Sequence, residues 1–97
     1  MKVSVRFFTV LREITGKKEE TLQVPESEKV TVGSVLNALS SRYGKPFSDY
    51  VYDSGTGKVK GFLQFFVNGQ SGTGLDGSET ELHDGDLLAI VPPVGGG

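Results

Sequence analysis

The chain has 97 residues, 36% of them hydrophobic and 23% charged, with a formal net charge of −2. That length supports one domain with a single modest core, and that charge leaves no basic footprint for nucleic acid or anionic lipid. The absence of cysteine excludes a disulfide framework, a thiolate metal site, an iron–sulfur cluster and a cysteine nucleophile.

Residues 2–9 alternate, with Val3, Val5 and Phe7 on one side and Ser4, Arg6 and Phe8 on the other. Period two predicts a first strand with its valine face inward and Phe8 on the outer face. No signal-peptide h-region follows Met1, and no run approaches the ~20 apolar residues of a membrane span. A cytoplasmic protein is the expectation. Leu11, Ile14 and Gly16 suggest a short structured turn. Residues 21–24 read as a second strand closed by Pro25, and the short link between the two predicts an antiparallel hairpin. Glu19, Glu20, Glu26, Glu28 and Glu79 read as solvated turn and loop groups.

The period then changes. Val32, Val35, Leu36, Leu39 and Tyr43 form one stripe of a helix, with Thr31 as N-cap and Gly44 as its stop before Pro46. Residues 45–61 read as a loop with one short helical turn and a mobile tip at residues 53–57. Residues 62–67 predict a third long strand, with Leu63, Phe65 and Val67 inward and Phe62, Gln64 and Phe66 outward. Asn68-Gly69 is a strong hairpin-turn signal. Residues 70–82 leave room for one brief strand, and Asp84-Gly85-Asp86 turns the chain into a last strand, residues 87–91. That strand is apolar on both faces, which places it mid-sheet beside the first. The order argues an α+β fold, a mixed sheet of four to five strands packed on one main helix.

As an enzyme the sequence is poor. His83 is its one histidine, in a turn beside Asp84, and reads as an isolated surface group. No H-E-x-x-H, G-x-S-x-G or P-loop spacing occurs, and residues 69–74 lack the P-loop lysine. Neither catalytic nor metal-ligating residues are expected.

The tail is different. Pro92 and Pro93 cannot continue a strand ladder, and Gly95, Gly96 and Gly97 have no side chains. From Pro92 to Gly97 an extended tail reaches roughly 20 Å at about 3.3–3.6 Å per residue. It can thread a narrow channel and present the carboxylate of Gly97. An ATP-dependent partner can convert that carboxylate to an acyl-adenylate, and glycine leaves the acyl carbon open to attack. The domain is therefore expected over residues 1–94, with residues 95–97 as a flexible tail.

These residues resemble a known family. Asp84-Gly85-Asp86-Leu87-Leu88-Ala89-Ile90-Val91-Pro92-Pro93-Val94-Gly95-Gly96-Gly97 is similar to the C-terminal signature of MoaD, the small subunit of molybdopterin synthase, and of the small archaeal modifier proteins. Residues 5–14 and 31–36 resemble the first strand and the helix start of the same proteins. Two features differ from the usual MoaD: three terminal glycines, and greater length around residues 50–61 and 72–79, which resembles the archaeal modifiers better.

The resemblance implies a ubiquitin-like β-grasp fold and adenylation at Gly97 by a relative of ubiquitin-activating enzymes. ATP is then used by that enzyme, and this chain binds no cofactor. The product's fates are a thiocarboxylate that donates sulfur for molybdopterin, with the synthase large subunit as partner, or conjugation to lysines of target proteins. Lys58 and Lys60 are self-conjugation sites only against the simpler reading of solvated lysines. In β-grasp order Phe8, Phe66 and Val91 become neighbours on the open face, and with Pro92 and Pro93 they are the expected partner-binding residues. The alternative is an interaction module that is never activated, with an inert tail.

Overall fold

The computed structural model describes residues 1–25, 29–71 and 79–92. Its elements are β1 (Lys2–Phe7), α1 (Val10–Thr15), β2 (Glu19–Gln23), α2 (Val32–Tyr43), α3 (Lys45–Val51), β3 (Gln64–Val67), β4 (Gln70–Ser71) and β5 (Leu87–Val91). They form one mixed sheet in the order β2-β1-β5-β3-β4. The last strand pairs parallel with β1 and antiparallel with β3. This is the expected ubiquitin-like β-grasp, an α+β sheet folded over its main helix.

The alternation seen in the sequence sets the two faces. Val3, Val5, Phe7, Phe65, Leu88 and Ile90 are buried, and α2 lays Val32, Val35, Leu36 and Leu39 among them. The helix begins at a reciprocal capping box: Ser34 N donates to Thr31 Oγ1 at 3.1 Å, and Thr31 N donates to Ser34 Oγ at 2.8 Å. It ends where Gly44 takes φ 79, a conformation that L side chains rarely adopt. Asn68 (φ 52) and Gly69 (φ 85) form the two-residue turn that sets Val67 opposite Gln70.

Several boundaries differ from the sequence expectation. β1 ends at Phe7, because Thr9 at φ 49 turns the chain out of the sheet and into α1. The turn predicted at residues 11–16 is a six-residue helix. The predicted loop after Gly44 holds a seven-residue helix, with Pro46 in its first turn and Phe47 and Val51 buried. The tip at residues 53–57 is internally bonded: Asp53 Oδ1 accepts from Gly55 N at 2.7 Å, and Gly57 N donates to Asp53 O at 2.7 Å. Phe62 lies outside β3, and its ring stands 5.9 Å from that of Tyr50.

Glu20 overturns its sequence reading. β2 starts two residues earlier than expected, so Glu20 points to the core side, opposite Val5, and is 7% exposed. It is the hub of a polar cluster. Tyr43 Oη donates to its Oε1, Lys17 Nζ lies 3.1 Å from Oε1, and Arg42 Nε lies 2.8 Å from Oε2. Edge strand β2 is thereby tied to the last turn of α2. Burial pushes the Glu20 carboxyl up, but the hydrogen bonds of Tyr43 and Lys17 and the charges of Arg42 and Lys17 together hold it below the usual value. Burial, then the bond and charge of Glu20, push the Tyr43 phenol up to about 12.

The two shifts give opposite pH limbs. A depressed carboxyl contributes stability above its ordinary value of 4.5, lost as pH falls through the lower folded value. A raised phenol contributes stability below 10.0, lost as pH rises toward about 12. Glu20→Gln is expected to flatten the acid limb and Tyr43→Phe the alkaline one, read by urea denaturation across pH. At neutral pH Glu20→Ala, which strips three partners of one acceptor, is expected to cost about 1–3 kcal/mol.

Candidate functional site: the last strand and its open face

The site grows from the position of β5. Its neighbours fix its register on both sides: Phe7 is level with Ile90 on one, and Gln64 with Val91 on the other. Leu88 and Ile90 are fully buried, while Leu87, Ala89 and Val91 face the other way and are half-buried. Pro92 continues the inward parity of Leu88 and Ile90 and is buried. It is one of the residues expected in the docking patch, and its side chain is buried. Pro93, Gly95, Gly96 and Gly97 lie outside the described residues.

The register sets the outward residues of the three central strands in two rows. Arg6, Ala89 and Phe66 form one row across β1, β5 and β3, and Val91 and Gln64 stand in the next. Phe8 follows Phe7, just past the end of β1. Phe8, Phe66 and Val91 are each half-buried. Leu87 and Ala89 join this surface, and the strand alternation already contained that signal. Arg6 borders it through a cross-strand ion pair with Glu19, 3.0 Å. The outward side is therefore apolar along β5 and charged toward the β2 edge.

Among the described residues the other titratable groups do not assemble into a reaction centre. His83 is exposed at the opposite end of the sheet, 3.7 Å from Glu81 and 3.8 Å from Asp86. Asp86 itself is structural there: it accepts from Asn68 Nδ2 at 2.9 Å and from His83 N at 2.7 Å. Among the described residues no three His, Cys, Asp or Glu side chains gather as a metal site. A groove between α3 and the residue 53–57 tip is lined by Lys45, Asp49, Tyr52, Asp53, Ser54 and Lys60. Its charges are partly committed, since Lys60 Nζ donates to Asp49 O at 2.9 Å and Asp53 closes its own turn. Lys58 is exposed, whereas Lys60 is half-buried and held.

A family model matches residues 5–97 of the chain. The chain belongs to the ThiS family. Among its curated relatives is small archaeal modifier protein 3 of Haloferax volcanii, 36% identical over 97 residues and covering all of both chains. The sulfur carrier protein CysO of Mycobacterium tuberculosis is 30% identical over 97 residues, again with both chains fully covered. The crystal structure of SAMP1 from Haloferax volcanii superposes with a TM-score of 0.82 at 25% identity, covering 100% of each chain. A ThiS-family chain is thus a carrier or modifier of ubiquitin-like fold. No helix among the described residues is long and apolar enough to cross a membrane.

The two parities of β5 should separate in stability. Ile90→Ala truncates a fully buried side chain and is expected to cost about 2–5 kcal/mol. Val91→Ala, one residue on and half-buried, is expected to cost less than half as much. Chemical denaturation of the two variants against the parent checks the contrast, and comparable losses would place the core on both sides of the strand.

Proposed function

We propose that this chain is a carrier whose chemistry resides at Gly97 and whose catalysis is supplied by an adenylating enzyme. The observation that carries the reading is the rigid root of the tail: a central strand, paired on both edges, leads through buried Pro92 toward the glycines. The carboxylate oxygen of Gly97 attacks the α-phosphorus of ATP, and pyrophosphate leaves. In the acyl-adenylate the acyl carbon carries AMP as a good leaving group. No side chain at Gly95, Gly96 or Gly97 obstructs an approaching nucleophile.

Two nucleophiles complete the reaction. A persulfide displaces AMP to give an acyl disulfide, which a second thiol reduces to the thiocarboxylate with release of a disulfide. A lysine amine displaces AMP, directly or through an enzyme thioester, to give an isopeptide bond. Similarity to a sulfur carrier supports the first route and similarity to an archaeal modifier the second. The half-buried patch of Phe8, Phe66 and Val91 is the face that docks the adenylating enzyme while the tail enters its site. For the sulfur route, a molybdopterin synthase large subunit is a further partner. A cytoplasmic location, where ATP and such enzymes meet, is part of the same reading.

Intact mass tests it. Incubation with the adenylating enzyme of the same organism, ATP and a persulfide donor is expected to add about 16 Da, the exchange of oxygen for sulfur, to the full-length chain alone. A form lacking Gly96 and Gly97 is expected to stay unchanged. If the full-length chain also stays unchanged while the enzyme turns over another carrier, the tail is inert and the interaction-module reading stands. Phe8→Ala and Phe66→Ala are expected to slow adenylation several-fold with the fold intact by circular dichroism.

A further inference from the structure

The two large apolar side chains exposed among the described residues are Val10, at 39%, and Phe62, at 44%. Neither lies in a strand, and the topology places them with a purpose in common. β5 is flanked by β1 and β3, and the tail leaves β5 beyond Val91. Val10 stands three residues after Phe7, the end of β1, which is level with Ile90. Phe62 stands two residues before Gln64, the start of β3, which is level with Val91. One exposed apolar residue thus sits beyond each neighbour of β5, at the end of the sheet from which the tail departs.

Both are held. Val10 opens α1, whose next residue, Leu11, is fully buried, and Thr15 Oγ1 donates to Leu11 O at 2.9 Å. Phe62 packs its ring 5.9 Å from Tyr50 of α3, with Lys60 Nζ 5.7 Å from the ring centroid. Lys60 is fixed in turn by the Asp49 carbonyl. An exposed side chain that is already ordered loses little entropy on association, which suits an anchor for a partner. The two differ from Phe8, Phe66 and Val91, because Phe62 reaches the helix layer through Tyr50.

We propose that Val10 and Phe62 form an apolar collar around the tail root, gripped by the mouth of the adenylating enzyme's channel. This rests on the carrier reading above. The occupant follows from where the chain leads: an enzyme that acts on the Gly97 carboxylate must admit a tail of roughly 20 Å reach. Its channel mouth then closes on the surface around Pro92. Apolar pockets there would bury Val10 on one side and Phe62 on the other. The collar thereby reads the correct strand order of the carrier as well as its tail.

Steady-state ATP–pyrophosphate exchange with the adenylating enzyme of the same organism tests this. Val10→Ser/Phe62→Ser is expected to raise the KM for the carrier about tenfold and to leave kcat within about twofold, the signature of lost uniform binding. Val10→Ile/Phe62→Leu is expected to restore the parent KM, which a general loss of folding would not permit. Phe66→Ala, run in parallel, reports the sheet face separately. Parent KM in the double serine variant, with Phe66→Ala impaired, overturns the collar and leaves the carrier reading standing. No exchange with the parent chain overturns both.

Discussion

The structure depends on one pairing, the insertion of the C-terminal strand between the first and the third. Ser4 is level with Leu87 and Phe7 with Ile90, so the two ends of the chain are parallel neighbours at the centre of the sheet. On the far side Gln64, Phe65, Phe66 and Val67 take the other ladder. A strand hydrogen-bonded along both edges cannot fray without breaking two ladders. The tail is therefore mounted on the part of the sheet where local opening is costliest, rather than on a frayed terminus.

That pairing leaves the edges to be managed elsewhere. On β2 the device is an inward charge: Glu20 sits on the core side and draws Tyr43, Arg42 and Lys17 around it. Another chain adding to this edge would gain the ladder, but a one-residue slip of β2 would turn Glu20 out and Thr21 in, and dissolve the cluster. A buried carboxylate is weak evidence for net stability. Its more secure consequence is register, because only one alignment gives the carboxylate its partners. The opposite edge, β4, is two residues long and offers little template.

Where the sequence was legible, a single physical signal dominated. The stripe from Val32 to Tyr43, Thr31 as cap, the Asn68-Gly69 turn and the two-sided apolarity of residues 87–91 each specified their element, and each matches. The failures share a different cause. Phe8 continues an alternating run, yet the chain leaves the sheet one residue earlier because α1 must cross to the helix layer, and Thr9 takes φ 49 to allow it. Glu19-Glu20 looked solvated because two adjacent acids carry no periodic signal; the inward one is revealed only by pairing Val5 with Glu20. Residues 45–51 hid a helix, since Pro46 reads as a breaker unless its place in the first turn is known. Pro92 read only as a strand stop, yet the inward parity of Leu88 and Ile90 carries through it and it is buried. The outward positions of Phe66 and Val91 were legible, because register follows from strand order. The contact of Phe62 with Tyr50, twelve residues away on α3, was not legible.

The same topology bears on how such a carrier is recognised. A tail by itself is only a short glycine-rich peptide, and an enzyme that bound nothing else would accept any unfolded chain with that ending. The surface around this tail exists only after residue 7 has met residue 90 and residue 64 has met residue 91, contacts that span nearly the whole chain in one case. Such long-range pairings carry the loop-closure cost of folding and are won only when the whole sheet assembles. Arg6, Ala89 and Phe66, adjacent across three strands and far apart in sequence, therefore report completed folding. With Val91 one residue before Pro92, the docking proposed for that face would couple the chemistry proposed at the terminus to the integrity of the domain. A partner that required both tail and sheet would act on folded chains alone.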